Sequence, residues 1–344
     1  MVKLVYTQEE LLASHPYAEY HMAAGHKLHG GFDPAGNYVP PRSLHRIPAI
    51  DAWRSEVERK GWKLIDCSAD LLKMGNYPSP EQQWLLLENG LERTMWNSLT
   101  IAGVIEGRGA LLASFPAPDF QSIIVEDISA LCIGHLNKGL LVAHGWDEGG
   151  NPATDIGAHN KMWFAARDAL FGRDAYGRAE IPESITRPES GRLMPQIPLE
   201  HEQYLLLLMN LTMIEVRAEA TFRFNETVVK NPDAFRNNRV GANLAADLIN
   251  RIRMDENIHV ASLRVMLSEF RELTIKTVDG GTMRGKDLFD PLWTPMIAYH
   301  TGEAFEFSRN QTRDSLQRQI ITLDGGEKLF AKFESLEHRA LAAE

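Results

Sequence analysis

The sequence of 344 residues lacks the features that mark several protein classes. It contains only two cysteines, Cys67 and Cys132, and neither belongs to a CxxC pair, so a thiolate zinc site or a redox dithiol is not expected. The longest apolar runs, such as residues 205–209, are far shorter than the roughly 18 to 20 residues needed to span a bilayer. The N-terminus has neither the apolar core nor the small-residue cleavage site of a secretory signal. The sequence therefore predicts a cytoplasmic protein without a membrane partner.

Basic residues are outnumbered by acidic ones. Lys and Arg total 36 against 46 Asp and Glu, which gives a formal net charge of -10. Proteins that bind nucleic acids usually carry a clustered basic face, so a nucleic-acid partner is not expected. Phosphate-binding GxxxxGK[ST] and GxGxxG loops and the GxSxG elbow are also missing. A small molecule or a metal is the partner class that remains.

Turn-forming residues divide the chain into three regions. Residues 1–78 read as coil and short helices packed on the rest of the protein, because Gly and Pro interrupt every pattern there. Residues 79–280 carry long helical patterns. Residues 281–344 read as short C-terminal helices.

Long helices dominate the central region, and strand signals are sparse. Residues 273–278 are one brief strand candidate, although they continue a helical pattern. The overall expectation is an all-α protein built on two helical hairpins, A/B and C/D, with a further helix over residues 155–171. The four predicted helices are A from Ser79 to about Phe115, B from Asp119 towards Gly145, C from Glu200 past Phe222, and D from Val240 to Thr277.

Helix D places an acid and an imidazole inside its apolar stripe. Glu256 and His259 fall on the same face as Ala245, Leu248 and Ile252. A buried carboxylate costs several kcal/mol unless it meets a counter-charge, a proton or a metal. The spacing i, i+3 lets both side chains bind one ion. The composition alone predicts one or two such pairs by chance, so the position in the stripe is the informative feature.

The other predicted helices carry carboxylates at matching heights. Glu215 lies in the apolar stripe of helix C, as far from the C/D turn as Glu256. Glu106 and Glu126 lie in the stripes of helices A and B, equally far from the A/B turn. Residues that face each other in an antiparallel hairpin lie equally far from its turn, so each pair is expected to meet.

This pattern resembles the ferritin-like di-iron carboxylate superfamily, in which carboxylates and histidines of a four-helix bundle hold two metal ions. The resemblance covers roughly residues 80–275 and implies a ferritin-like four-helix bundle with additional N- and C-terminal helical and coil segments. The ligands that it implies are Glu106, Glu126, Glu215, Glu256 and His259.

Helix B departs from the family pattern. The family has a histidine three residues after the carboxylate of the second helix, and this sequence has Ser129 there. His135 lies on the opposite side of the helix from Glu126. Three alternatives remain: one metal position is lost, His135 is a ligand while Glu126 lies elsewhere, or His159 reaches in from the following helix.

The resemblance also implies a chemistry. Carboxylates and imidazoles suit two iron ions, or iron with manganese, and such centres use dioxygen to oxidise small organic substrates. An electron donor and a homodimer are compatible with it. The alternative is a non-catalytic ferritin-like scaffold or ligand-binding protein whose buried carboxylates are neutralised by Arg or His.

Other charged residues receive secondary roles. Glu219 is a further carboxylate on helix C, either a mobile ligand or a structural acid. Arg108 and Arg217 are expected beside the metal ligands. The group His21, His26 and His29 in the N-terminal coil is compatible with a second metal site, although separate packing roles are the simpler interpretation.

Overall fold

The computed structural model describes residues 2–68, 71, 76–183, 186–187 and 190–341, and most of these residues are helical. The predicted all-α class is confirmed, with three short two-stranded ribbons added within the described residues. The helices are α1 (Gln8–Leu12), α2 (Arg46–Arg59), α3 (Pro80–Glu88), α4 (Arg93–Arg108), α5 (Phe120–Ile123), α6 (Leu141–Gly149), α7 (His159–Phe171), α8 (Leu199–Lys230), α9 (Arg239–Glu272), α10 (Gly285–Thr301), α11 (Glu303–Ile320) and α12 (Gly326–Leu341). The strands are β1 (His21–Ala23), β2 (His26–Leu28), β3 (Gly31–Phe32), β4 (Tyr38–Val39), β5 (Thr274–Lys276) and β6 (Thr282–Arg284).

The helical hairpin α8/α9 is the predicted hairpin C/D, and its existence is confirmed. Helix α8 follows Pro198 and carries Glu200 and Glu202 in its first turn, where acids interact favourably with the helix dipole. Helix α9 starts at the N-cap Asn238, whose side chain accepts a hydrogen bond from the backbone of Gly241. The expected end of helix D was too late, because α9 stops at Glu272 and the chain turns into strand β5.

The predicted hairpin A/B is wrong. Helix A divides into α3 and α4 at Asn89 and Gly90, where Gly90 adopts a left-handed φ of 74°. Helix B is replaced by α5, irregular turns, two short helical turns and α6. Asp127 accepts a hydrogen bond from the backbone of Ser129, which closes a local turn instead of a helix. Equal distance from the A/B turn therefore does not bring Glu106 and Glu126 together.

Two apolar clusters lie along α8/α9. One joins residues 204–216 of α8 to residues 258–270 of α9, and the other joins residues 222–229 to residues 242–252. Glu215, Glu256 and His259 lie where the two clusters meet. A polar layer thus interrupts the core of the long hairpin.

Helix α7 completes the walls of this layer. It packs against both α4 and α9, while α6 contacts α4 and α7. Five helices, α4 and α6 to α9, therefore surround the polar residues. This packing does not by itself establish a ferritin-like bundle of four helices.

The N-terminal segment folds over the helices as two short hairpins followed by α2. Strand β1 pairs with β2 and β3 pairs with β4. The backbone N–H of His29 donates to the carbonyl of Gly157, at the start of α7. This hydrogen bond ties the segment to the chain two residues before α7, which begins with His159.

The three N-terminal histidines do not share a site. The Nε2 atom of His21 lies 2.7 Å from an Arg251 guanidinium nitrogen, and His26 Nε2 lies 2.9 Å from a carboxylate oxygen of Asp168. His29 faces Asp255 instead. The interpretation of separate packing roles fits this arrangement.

The C-terminal region forms longer helices than expected. Helices α10, α11 and α12 have 17, 18 and 16 residues. Helices α11 and α12 pack with α3 around a small apolar cluster that includes Leu316 and Phe333. Among the described residues, no helix combines the length and apolar character needed to cross a membrane.

The contact between His21 and Arg251 predicts a pH-dependent stability. Burial and the nearby Arg251 guanidinium lower the pKa of His21 from 6.5 to about 4. Between these values the unfolded chain binds a proton that the folded protein does not, so the free energy of unfolding falls as the pH drops from about 6.5 towards 4. In His21→Gln the amide oxygen can still accept from Arg251, and urea unfolding at pH 7 and pH 5 should show a smaller loss than in the wild type.

His15→Gln is the control for this experiment, since it removes an imidazole that stacks on Tyr17 in the same segment. An equal loss of stability on acidification in the wild type and in His21→Gln would contradict the assignment.

Candidate metal centre

Polar side chains from five helices converge in the layer between the two apolar clusters. All are buried except Glu106, whose side chain is 12% exposed. They are Glu106 on α4, His144, Asp147 and Glu148 on α6, His159 on α7, Glu215 on α8, and Asp255, Glu256 and His259 on α9.

The position of α6 depends on a glycine. A Cβ atom at Gly145 would lie 2.7 Å from the backbone nitrogen of Ala113, closer than real Cβ contacts. Any larger residue would push α6 away from the segment that follows α4. The close approach presents His144 and Glu148, which are one turn apart on the same face of α6.

The first group of ligand atoms consists of two imidazoles and two carboxylates. The Nε2 atom of His144 lies 2.8 Å from Oε1 of Glu215 and 3.6 Å from Oε1 of Glu148. The Nδ1 atom of His259 lies 3.2 Å from the same Glu148 oxygen. One ligand atom from each of these four residues lies within 4.8 Å of the other three.

The second group consists of one imidazole and three carboxylates. The Nδ1 atom of His159 lies 3.0 Å from Oε1 of Glu256, 3.4 Å from Oε2 of Glu106 and 3.6 Å from Oε1 of Glu148. These four ligand atoms also lie within 4.8 Å of one another. A cation with bonds of about 2.0 to 2.2 Å fits between ligand atoms at such separations.

Glu148 belongs to both groups, so the two sites are adjacent. Its Oε1 atom is buried and has no hydrogen-bond partner among the described residues. The Oε2 atom of Glu106 and the Nδ1 atom of His159 are buried and without partners in the same way. Buried polar atoms are normally satisfied, and three unsatisfied ligand atoms within 4.8 Å of one another match the donor set of a cation.

Two histidines of the groups are held from outside by aspartates. The Nε2 atom of His259 lies 3.2 Å from Oδ2 of Asp147, and the Nε2 atom of His159 lies 3.1 Å from Oδ2 of Asp255. In both rings Nδ1 therefore faces the centre. Metal-ligating histidines commonly donate their second ring nitrogen to a carboxylate, which fixes the tautomer.

The four central carboxylates repel one another. Burial and the nearby Glu256 raise the pKa of Glu148 well above its usual range, and the same two causes raise the pKa of Glu215 to about 7. Burial and the nearby Glu106 raise the pKa of Glu256. Only Glu106 has a lowered pKa, about 2, because its contacts with His159, Glu148 and Trp163 outweigh the effect of burial.

The histidines respond in opposite directions. Burial and the neighbouring His259 lower the pKa of His144 to about 4. The pKa of His159 is raised although burial lowers it, because Glu256 and three other carboxylates surround the ring. Without a cation, the centre must therefore hold protons to offset its negative charge.

A third group of close ligand atoms comprises His29, His159 and Asp255. Its contacts meet at a single oxygen, Oδ2 of Asp255, which accepts a hydrogen bond from the Tyr38 hydroxyl at 3.0 Å. The Nε2 atom of His29 lies 3.4 Å from the same oxygen. This geometry fits a carboxylate that accepts from several donors and orients His159.

Of the six residues expected as metal ligands, the structure brings four together: Glu106, Glu215, Glu256 and His259. Glu126 lies elsewhere, and its carboxylate accepts hydrogen bonds from the backbone and hydroxyl of Thr274 at 2.9 and 2.8 Å. These hydrogen bonds fix the first residue of β5. Glu126 can make them because the chain around it is not helical and turns towards β5.

His135 is also outside the centre. Its Nδ1 atom lies 2.7 Å from the carbonyl of Leu131, and its Nε2 atom accepts from the backbone N–H of Tyr6 at 3.0 Å. The ring lies on Trp53 in the apolar core, with centroids 4.7 Å apart. Both ring nitrogens are occupied, so neither is directed at a cation.

Of the three alternatives for helix B, the one in which His159 reaches into the centre from the following helix fits the geometry. His144 and Glu148 were not predicted as ligands from the sequence. Their signal was an i, i+4 histidine and carboxylate on a short helix. Glu219 pairs with Arg253 and Arg223 as a structural acid. The two arginines expected beside the ligands lie elsewhere. Arg217 contacts His300, and Arg108 donates to the backbone carbonyls of residues 182 and 183.

Comparison of the chain with models of known protein families, with curated proteins and with solved structures finds no match. The functional assignment therefore rests on the side chains of the centre and their geometry.

The crowding of carboxylates predicts that Glu148→Gln does not destabilise the metal-free protein. The neutral amide keeps the shape of the side chain and needs no proton to stay neutral, whereas burial and the nearby Glu256 disfavour the ionised form of Glu148. In urea unfolding at pH 8 with a chelator, its free energy of unfolding should equal or exceed that of the wild type. Added Mn²⁺ should stabilise the wild type by about 2.7 kcal/mol at 100 times the Kd, and Glu148→Gln much less.

Glu126→Gln is the matched control, because it alters a carboxylate bonded to Thr274. It should cost about 0.5 to 1.5 kcal/mol, the usual contribution of a hydrogen bond, and retain the response to Mn²⁺. A larger loss of stability in metal-free Glu148→Gln than in Glu126→Gln would contradict this prediction.

Proposed function

We propose that the chain is a di-iron, or iron and manganese, carboxylate oxidoreductase that uses dioxygen to oxidise a small organic substrate. The observation that carries the proposal is the pair of four-residue ligand groups that share Glu148. Adjacent groups with a common carboxylate are the arrangement that a dinuclear centre needs.

The donor set favours these metals. The two groups together contain four carboxylates and three imidazoles, which suit Fe(II) and Mn(II) better than the thiolate-rich sites that select zinc or copper(I). The four carboxylates carry four negative charges when ionised. Two divalent cations would neutralise them, so every ligand could remain deprotonated.

The contacts argue against the form of the non-catalytic alternative in which Arg neutralises the buried carboxylates. In the part of the chain that the structure describes, the ion pairs of Glu106, Glu148, Glu215 and Glu256 are with histidines. In the same part of the chain, Arg42 and Arg46 pair with the neighbouring Asp147. Neutralisation by Arg would pair these four carboxylates with guanidinium groups, as Glu219 pairs with Arg253.

The resemblance to ferritin-like di-iron proteins supports the same proposal and has a clear limit. Helix α9 carries the Glu-x-x-His pattern, and α4 and α8 each carry one carboxylate. Helix α6 departs from the family pattern, because its histidine precedes its carboxylate by four residues, and α7 adds a third histidine. Membership of the ferritin-like superfamily is therefore a part of what we propose.

The chain's own residues would hold the ions and control their surroundings. When bound, the two metals would supply the redox chemistry that activates dioxygen, with an electron donor as a further partner. The apolar clusters on both sides of the polar layer exclude bulk water. Asp147 and Asp255 keep the Nδ1 atoms of His259 and His159 directed inward.

Metal analysis tests this function. Protein purified under iron supplementation should contain close to two iron ions per chain by elemental analysis. Glu256→Ala should lose most of this metal, because it removes a ligand together with its contacts to His159 and His259. Glu219→Ala is the control, since it removes a carboxylate of α8 that pairs with Arg253.

Oxygen consumption separates an enzyme from a scaffold. The Fe(II)-loaded wild type should consume dioxygen in an electrode assay faster than Glu256→Ala, while Glu219→Ala should behave like the wild type. Absence of bound metal in the wild type, with the fold unaffected by Glu256→Ala, would rule the proposal out.

A further inference from the structure

Both carboxylate oxygens of Asp147 are occupied by residues of the N-terminal segment and by His259. The Arg42 guanidinium donates to Oδ1, and the Arg46 guanidinium donates to Oδ2. The Nε2 atom of His259 lies 3.2 Å from Oδ2. Asp147 and Arg46 are fully buried or nearly so, so this ion cluster is part of the interior.

The arginines distinguish Asp147 from its neighbour in the sequence. Asp147 and Glu148 are consecutive buried acids at the centre, yet only Glu148 belongs to the two ligand groups. Because Arg42 and Arg46 saturate Asp147, it cannot compete with Glu148 for a cation. It is left to orient the ring of His259.

The second outer aspartate is held from the same segment. The Tyr38 hydroxyl donates to Oδ2 of Asp255, and His29 Nε2 lies 3.4 Å from it. Asp255 in turn holds His159. Residues 29–46 thus reach both aspartates that orient histidines, and we call this stretch the N-terminal clamp.

The backbone of the clamp is constrained at Arg42. This residue has a left-handed φ of 52°, which few residues other than glycine adopt. It follows Pro40 and Pro41, and the hydroxyl of Ser43 donates to the carbonyl of Pro40. Such conformations persist where the surrounding structure enforces them, often at functional sites. Here the conformation directs the Arg42 side chain onto Asp147.

We propose that the N-terminal clamp is a structural part of the dinuclear centre, with Arg42 and Arg46 as positioning residues that fix His259 through Asp147. The inference rests on the proposed function and deepens it. Without the arginines, Asp147 would be an unpaired buried carboxylate, which would turn towards the cations or release the ring of His259. Loss of such outer contacts typically weakens metal binding by about 10- to 100-fold.

Calorimetric titration of the metal-free protein with Mn²⁺ tests the role of the clamp. Arg46→Met should weaken the binding of at least one cation by about 10- to 100-fold. Arg46→Lys keeps the charge but not the planar donor fork, and should fall between Arg46→Met and the wild type. If Arg46→Met proves unfolded by circular dichroism, Arg42→Met replaces it, because the Arg42 side chain is less buried, and it should weaken binding in the same direction.

Arg251→Met is the matched control. Arg251 is also buried and holds the N-terminal segment through His21, but its partner carboxylate is Asp247 rather than Asp147. It should leave the Mn²⁺ affinity within about threefold of the wild type. An equal loss in Arg251→Met and Arg46→Met would overturn the positioning role, because general loosening of the segment would then explain both.

A spectroscopic measurement adds a readout that a purely structural role would not change. The visible absorption of bound Co²⁺ depends on coordination geometry, so Arg46→Met should alter the spectrum of the fully loaded protein and Arg251→Met should not. Unchanged Mn²⁺ affinity and an unchanged Co²⁺ spectrum in folded Arg46→Met would refute the clamp while leaving the dinuclear centre intact. A wild type that binds neither ion would refute the proposed function itself.

Discussion

The burial of four carboxylates at one point is the constraint on which the rest of the structure depends. Glu106, Glu148, Glu215 and Glu256 meet in a layer from which water is largely excluded, and histidines are their ion-pair partners in the described part of the chain. Charges buried in this way need compensation. Protons can supply it, as the raised pKa of Glu148 and Glu215 indicates, but two divalent cations would supply it with every ligand ionised.

The architecture around the layer follows from this constraint. The long helices α8 and α9 carry an apolar cluster on either side of the polar residues, so the hydrophobic core frames the centre. Gly145 lets α6 approach closely enough to bring His144 and Glu148 into the same space. The N-terminal segment then closes the layer from outside, where its arginines neutralise Asp147. Distant parts of the chain thus serve one charge cluster.

The sequence predicted the features that are local to one helix or one hairpin. Glu256 and His259 were found because three residues of helical rise bring them to one face, and Glu215 was found because α8 and α9 are joined by a short turn. The prediction of Glu126 failed because the same register argument was applied to a hairpin that does not exist, and His135 had been considered only as a replacement for the histidine missing from predicted helix B. The turn at Asp127 and the break at Gly90 interrupt the helices that the periodicity predicted there.

Composition and spacing by themselves determined the all-α class, the long hairpin and the meeting of Glu215, Glu256 and His259 on it. Only the tertiary structure decided that α6 and α7 supply His144, Glu148 and His159, and that Arg42, Arg46, Tyr38 and His29 hold the outer aspartates. The physical reason is the separation along the chain over which each kind of interaction acts. Helical spacing relates residues a few positions apart, whereas charge compensation joins any groups that folding brings together, and His259 and Asp147 are 112 positions apart.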